Sequence, residues 1–506
     1  MPHIRTLNKY SENRYNQHLS RKFSAFISDV VFMPRTPQQL RDDALAIWQA
    51  GLAGVRSEQL IRDAVQVEGD ALFVGDEELA LADFDRILVV GGGKAGAGMA
   101  AGLLEVLGSK LVREKQLTGW LNVPADCVRP LPTPGAPGIT LHAARPAGVN
   151  EPTAEGVAGS ERILELVRQA DARTLCLVLL SGGGSALLPA PCAGITLADK
   201  LAVTRFLSGA GANIAELNTV RKHLSRIKGG NLARASNAGR MITLVLSDVL
   251  GDPLDLIGSG PTVPDTSSAA DALGILQKYG GVVAGVPQAV MQVLEARVQQ
   301  LSSNGARMPA DTIGGFMERT TIHVIGNNAT AVDCAGIEAE KRGYSHAMIA
   351  ARDLEGSVEE IGRHLARMAL QMRDNNGPDC LIMGGEGTVT LAHAEIRGRG
   401  GRNQQTILAA LDELQKRGEP SARGLVILSG GTDGEDGPTD AAGAWLDEAS
   451  VKLAGERKLD LQDALRRNAA YDFFAATKSL LLTGPTHTNV CDIRVVVVTR
   501  QESINR

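Results

Sequence analysis

Short, strongly apolar runs recur along the chain, each closed by a glycine-rich or polar loop and then by a helical stretch. Arg86–Val90, Thr118–Val123, Thr174–Leu180 and Met241–Leu246 have this form. A strand that is apolar on both faces must be covered on both, the condition of a parallel sheet with helices on either side. The expected fold class is α/β, beginning with a Rossmann-like doubly wound sheet. A second series at Thr321–Ile325, His346–Ala350, Cys380–Met383, Leu425–Leu428 and Ile493–Val498 predicts another α/β block. Single cores stop growing at about 250 to 300 residues, and the chain has 506. The predicted layout is an extension at 1–36, a first domain at 37–300, a linker or loop at 301–317 where Ser, Asn, Gly and Pro gather, and a second domain at 318–506. An amphipathic helix is predicted from Gln38 to Gln66, with Leu40, Ala44, Ile47, Trp48, Leu52 and Val55 on one stripe.

The formal charge of -5 offers no basic surface for a phosphate backbone, so nucleic acid is not an expected partner. No apolar run reaches the ~18 residues a membrane-spanning helix needs, so no membrane partner is expected either. The six cysteines contain no Cys-x-x-Cys pair, which predicts reduced thiols and a cytoplasmic protein. Residues 1–36 carry Arg5, Lys9, Arg14, Arg21, Lys22 and Arg35, with Leu19, Phe23, Phe26, Ile27 and Val30 at helical spacing. That segment reads equally as a transit peptide, a docking helix or an extension without function.

Candidate chemistry gathers in the loops. The run Gly91, Gly92, Gly93, Lys94, Ala95, Gly96 joins a strand to a helix, where backbone N–H donors and partial positive charge favour an anion. It fits G-x-G-x-x-G but lacks a well-placed acid for a ribose, and Ala95 stands where a P-loop needs Ser or Thr. What remains is a glycine loop carrying Lys94, read as an anion contact. Ser181, Gly182, Gly183, Gly184 and Ser185 could form a backbone nest for phosphate or carboxylate oxygens; the G-x-S-x-G of a nucleophilic serine is missing. Between Arg221 and Lys228 four cations fall in eight residues, either a solvated helix face or a wall that draws in an acidic substrate. Asp248 follows a strand, where a carboxylate could accept a hydroxyl proton, hold magnesium or simply cap a turn. Glu386 lies in a glycine loop after a later strand, and Arg402 opens a helix behind Gly398, Gly400 and Gly401, placed to clamp phosphate by paired donors. The acidic run with Asp433 and Asp436 is read as magnesium or ribose contacts, those two residues being the candidate metal ligands. Asn489 belongs to a polar loop before the last strand.

Taken in order, VVGGGKAGAGMA, LLSGGGSALLPAP, LNTVRKHLSRIKGG, LSDVLGDPLDLIGSGPTVPD, GGEGTVTL, GRGGRNQQ, LSGGTDGEDGPTDAAGA and TGPTHTNVCD resemble the glycerate 2-kinase family, whose C-terminal part is the MOFRL domain. The match runs from about Leu40 to Val498. The resemblance implies transfer of the ATP γ-phosphoryl group to the 2-hydroxyl of D-glycerate, with Mg2+ as cofactor and an active site in a cleft between two α/β domains. It implies catalytic roles for Lys94, Arg402 and Asp248, the last as base. It also implies nucleotide or cofactor contacts from Gly91, Gly92, Gly93, Gly182, Gly183, Gly184, Ser185, Glu386, Asp433 and Asn489. His487 stands where the family more often has glycine, and Gln405 replaces the usual acid after GRNQ. A monomer or homodimer is expected. The alternatives are an NAD(P)H-dependent hydroxypyruvate reductase and a non-catalytic sugar-acid-binding protein.

Overall fold

The computed structural model describes residues 35–132, 138–149, 151–303, 317–375, 377–418 and 422–499. The expectations for 1–34, and for 304–316 within the predicted linker, lie outside the described residues. The chain divides into two compact units, one formed by Arg56–Asn327 with His487–Asn489, the other by the described residues up to Val55, Asn328–Thr486 and those from Val490 onward.

The first unit begins with a small antiparallel sheet, β1 (Val65–Glu68), β2 (Ala71–Val74) and β3 (Glu77–Ala80). The predicted helix to Gln66 therefore does not form as one piece. It is two helices, Pro37–Gly54 and Ser57–Ala64, and the chain passes from one unit to the other at Val55 and Arg56. The turns at Gly69-Asp70 and Gly75-Asp76, with φ of 58° and 63° at the glycines, reverse the chain in this sheet.

Six parallel strands follow: β4 (Arg86–Gly92), β5 (Thr118–Pro124), β6 (Ile139–Arg145), β7 (Thr174–Leu180), β8 (Arg240–Leu246) and β9 (Thr320–Gly326). Their spatial order is β6-β5-β4-β7-β8-β9, the 3-2-1-4-5-6 order of a Rossmann sheet, whose ligand crevice opens where the order reverses. Here that point lies between β4 and β7. Every residue of β7 is buried, which is why its sequence is uninterruptedly apolar. β9 pairs with β8 from Met241 opposite Thr320 onward, so the run at Thr321–Ile325 completes the first sheet. The unit boundary falls at Asn327 and Asn328, later than the predicted linker.

The second unit holds a mixed sheet of β10 (His346–Ala350), β11 (Cys380–Gly385), β12 (Leu425–Gly431), β13 (Gly443–Leu446), β14 (Leu480–Leu481) and β15 (Asp492–Val498), in the order β10-β11-β15-β12-β13-β14. β15 lies between β11 and β12 and runs antiparallel to both. Its first residue, Asp492, is therefore level with the last residues of its neighbours, opposite Gly385 and Gly431. Helix Pro37–Gly54 belongs to this unit, not to the first domain as predicted. Thr36 and Gln39 form its capping box. Gly51 and Gly54 let it approach helix Asn328–Lys341 so closely that a Cβ at Gly54 would overlap Cys334.

Candidate active site

At the end of the first sheet, Gly92 is level with Leu180 on β7 and Asn122 on β5, so the loops after β4 and β7 leave side by side. They interlock through backbone and hydroxyl: Lys94 N donates to Gly182 O at 2.8 Å, and Ala95 N to Ser181 Oγ at 3.0 Å. A Cβ at Gly91 would overlap Leu179 O, and one at Gly93 would overlap Ser181 Oγ, both glycines having positive φ. Glycines read in the sequence as opening backbone to a ligand thus open it to another backbone. Gly92 is similarly crowded by Asn122 O and Leu188.

The surface of this junction is built from side chains that reach the loop Gly182–Gly184. An added Cβ at Gly183, whose φ is 78°, would lie 3.2 Å from Arg145 Nη2 and 3.7 Å from Lys94 Cγ. At Gly182 it would meet the Asp248 carboxylate, with Asn489 Nδ2 at 3.0 Å. Asn489 Nδ2 donates to Asp248 Oδ2 at 3.5 Å. Lys94, Gly182, Gly183, Gly184, Ser185, Asp248 and Asn489 are therefore brought together in one unit. The sequence placed Asn489 with the second domain, yet His487–Asn489 packs with the first. His487 itself has φ 58°, a left-handed conformation that explains why glycine suits that position.

Below the loop, Lys228 is 1% exposed and donates to Ser185 O and Oγ, both at 2.9 Å, and to Gly258 O at 3.2 Å. Ser185 Oγ is 2.9 Å from Ser259 Oγ, which in turn donates to Asn218 Oδ1 at 3.1 Å. Gly258, Ser259 and Gly260 all have φ near 60°. A buried serine in that conformation is strained, and such strain persists where surrounding contacts enforce it. Burial, then Arg221 and Lys200, depress the Lys228 pKa well below the usual lysine range. Arg145, Asn218 and Ser259 were not among the expected site residues, and Lys228 was read only as one of the four cations between Arg221 and Lys228.

The second unit assembles another charged cluster. Arg402 opens helix Arg402–Lys416. Its Nε and Nη2 donate to Asp492 at 2.8 and 3.0 Å, and its Nη1 donates to Glu386 at 2.6 Å. Although burial opposes its charge, the Asp492 and Glu386 carboxylates push the Arg402 pKa up. Burial raises that of Glu386, Arg402 opposing and Asp492 and Asp433 adding to the rise. Asp492 is 1% exposed and also accepts from Asn403 Nδ2 at 2.9 Å. It closes the segment TGPTHTNVCD but was not among the expected site residues.

Asp436, expected as a metal ligand, instead caps that helix, accepting from Asn403 N at 3.0 Å and Gln404 N at 2.8 Å with its two oxygens. Its burial pushes its pKa up to about 7 despite those two amides. Asp433 is partly exposed, and one of its oxygens accepts from Glu435 N at 3.2 Å. Among the described residues no group of three or more His, Cys, Asp or Glu could hold a metal ion. A magnesium ion bound mainly by nucleotide phosphates needs only a carboxylate or two from a protein, and partly exposed Asp433 is of that type. Gln405 points away from this cluster, donating to Glu359 Oε1 at 3.2 Å and Leu465 O at 2.9 Å.

The family model described as a domain of unknown function (DUF4147) matches residues 43–295, and that of the MOFRL family matches 379–492. A D-glycerate 2-kinase of Thermotoga maritima is 35% identical over 429 residues, covering 83% of this chain and 93% of its own. The chain belongs to the glycerate kinase family. A glycerate kinase of Danio rerio is 34% identical over 508 residues, covering 91% of this chain and 98% of its own. The crystal structure of a glycerate kinase (EC 2.7.1.31) from Thermotoga maritima matches with a TM-score of 0.74 and 31% identity, over 92% of this chain and all of that one. As a member of this family the chain is an enzyme, and the expected α/β class is the one observed.

Proposed function

We propose that the chain transfers the γ-phosphoryl group of ATP to the 2-hydroxyl of D-glycerate, giving 2-phosphoglycerate and ADP. The observation that carries this reading is the meeting of Lys94, Asp248 and Asn489 around Gly182 and Gly183, at the reversal point of a Rossmann-ordered sheet. Family membership supports the choice of reaction. Phosphoryl transfer asks the protein for in-line positioning and for positive charge against the phosphoryl oxygens, with little covalent chemistry. Lys94 supplies such charge. Asp248 orients the acceptor hydroxyl and takes its proton, while Asn489, donating to Oδ2, holds that carboxylate in place. Arg402 supplies the second cation. Magnesium bound with ATP would supply charge against the phosphate oxygens, and Asp433 is the acid of the expected pair that would touch it.

No disulfide joins the six cysteines, and we take the chain to work in a reducing, cytoplasmic setting. No helix among the described residues is long and apolar enough to cross a membrane. We take the working form to be a monomer or homodimer.

The deciding experiment is a coupled ADP-release assay with ATP, magnesium and D-glycerate, followed by phosphorus NMR of the product. ADP release that does not rise with D-glycerate defeats the proposal. Oxidation of NADH by hydroxypyruvate would move the chain to the reductase reading, and glycerate binding without turnover would make it a binding protein.

A further inference from the structure

The four cations between Arg221 and Lys228 are not equivalent. Lys222 Nζ lies 3.0 Å from Asp255 and 3.7 Å from Asp265. Arg226 is paired with Glu161, its Nη1 donating at 3.0 Å. Lys228 gives its ammonium hydrogens to neutral oxygens only. Arg221 is in the last turn of helix Ile214–His223 and partly buried, and its guanidinium makes no hydrogen bond or ion pair with any described residue. Lys200, 7% exposed, donates only to Leu224 O at 3.0 Å.

Arg221 sits one turn along its helix from Asn218, whose Oδ1 accepts from Ser259 Oγ at 3.1 Å, and Ser259 Oγ lies 2.9 Å from Ser185 Oγ beside Lys228. No carboxylate pairs with Arg221, Lys200 or Lys228 among the described residues. Desolvating a cation without a counter-charge costs several kcal/mol; Lys200 and Lys228 relieve that cost through lowered pKa values, whereas the Arg221 guanidinium stays charged and so marks a place for an anion. Lys228 ties this group to Ser185, directly after the loop faced by Lys94 and Asp248. A guanidinium presents a planar fork that matches a carboxylate.

We propose that Arg221 binds the carboxylate of the hydroxy-acid substrate, beside the Ser185–Ser259–Asn218 contacts, and so selects an acid over a neutral alcohol. The inference rests on the kinase reading above. A phosphate of the nucleotide is the other anion that could fill the same need, and the two sources separate kinetically.

The test uses the full chain as wild type, Arg221→Gln and Arg221→Lys, with KM for D-glycerate and for ATP and calorimetric binding of D-glycerate. Arg221→Gln should raise KM and Kd for D-glycerate at least ~10-fold, the loss of one charge-assisted contact. KM for ATP and kcat should stay within about threefold, and Arg221→Lys should recover part of the affinity. An unchanged KM for D-glycerate overturns the inference, as does a rise confined to ATP, which would assign Arg221 to phosphate. Should Arg221→Gln fail to fold, shown by circular dichroism, Arg221→Lys carries the test: it keeps the charge and loses the fork, so D-glycerate affinity identical to wild type refutes the clamp. A wild type that turns over D-glycerate while Arg221→Gln is unaffected sinks only this inference. A wild type that neither binds nor phosphorylates D-glycerate sinks the kinase reading with it.

Discussion

One cluster of cations in each unit is treated in the opposite way to the other. In the parallel-sheet unit, Lys200, Arg221 and Lys228 are drawn together with neutral partners or none. In the mixed-sheet unit, Arg402 is wrapped by Asp492 and Glu386, and Arg494 is held by Glu355 at 2.7 Å with Asp492 at 3.9 Å. The first arrangement leaves an electrostatic need that a ligand can meet. The second meets its own need before any ligand arrives, so an anion reaching Arg402 must compete with a carboxylate.

The largest expected effect follows from that self-neutralised cluster. Asp492→Asn removes the acid shared by Arg402, Asn403 and Arg494, and should cost about 3 kcal/mol of stability, the scale of breaking a buried ion pair. Urea unfolding measures it. A loss under about 1 kcal/mol would mean that the cluster is not what secures β15, and the contrast between the units would fail.

Next come the two cations assigned to the reaction. Lys94→Ala and Arg402→Ala should each lower kcat at least ~100-fold, as removal of one preorganised electrostatic group typically does. The comparison sharpens on stability: Arg402→Ala strands two acids and should lower the melting temperature, whereas Lys94→Ala should leave it nearly unchanged. Near-wild-type turnover in both would dismiss their catalytic roles.

Much of the parallel sheet was legible because buried parallel strands must be apolar throughout: β7 matches its predicted span. β10 of the mixed sheet also matches although none of its residues is buried, and the other predicted strands differ only at their ends. β6, with the sequence ITLHAAR, was missed because its polar positions break the run; the start of β1 was taken into a supposed helix, and the short β2 and β3 were not predicted at all. The central antiparallel place of β15 could not be read, since apolar content says nothing of strand direction. Asp492 therefore stayed hidden: its importance comes from being level with Gly385 and Gly431, a fact of register. The glycine loops were legible as special but ambiguous in purpose, because close approach by a phosphate and by a neighbouring strand require the same missing Cβ.

A third test concerns Asp436, the buried acid that holds the start of the Arg402 helix. Its pKa, raised by burial to about 7 from an ordinary 3.8, means that the carboxyl favours folding while protonated. That contribution fades as pH climbs from the unfolded value near 4 through about 7. Asp436→Asn cannot ionise and loses one acceptor, so it should begin less stable by about 1 kcal/mol at pH 5 for the damaged cap. The wild type should then lose about 2 kcal/mol relative to it between pH 5 and 7. A pH-independent difference in urea midpoints would show that Asp436 is ionised throughout, its two amide donors outweighing burial.

The smallest effect bears most directly on competition at Arg402. Asp492 holds two of its nitrogens from a fully buried position, whereas Glu386 holds only Nη1 and is itself disfavoured as an anion by burial and by Asp492 and Asp433. Glu386 is thus the partner a phosphate oxygen can displace. Glu386→Gln keeps the size of the side chain and removes the competing charge, so KM for ATP should fall about threefold, roughly 0.6 kcal/mol, with little change in fold. If phosphate never meets this guanidinium, KM for ATP will not move, and the mixed-sheet cluster becomes a structural brace whose arginine affects turnover only through the strand it secures.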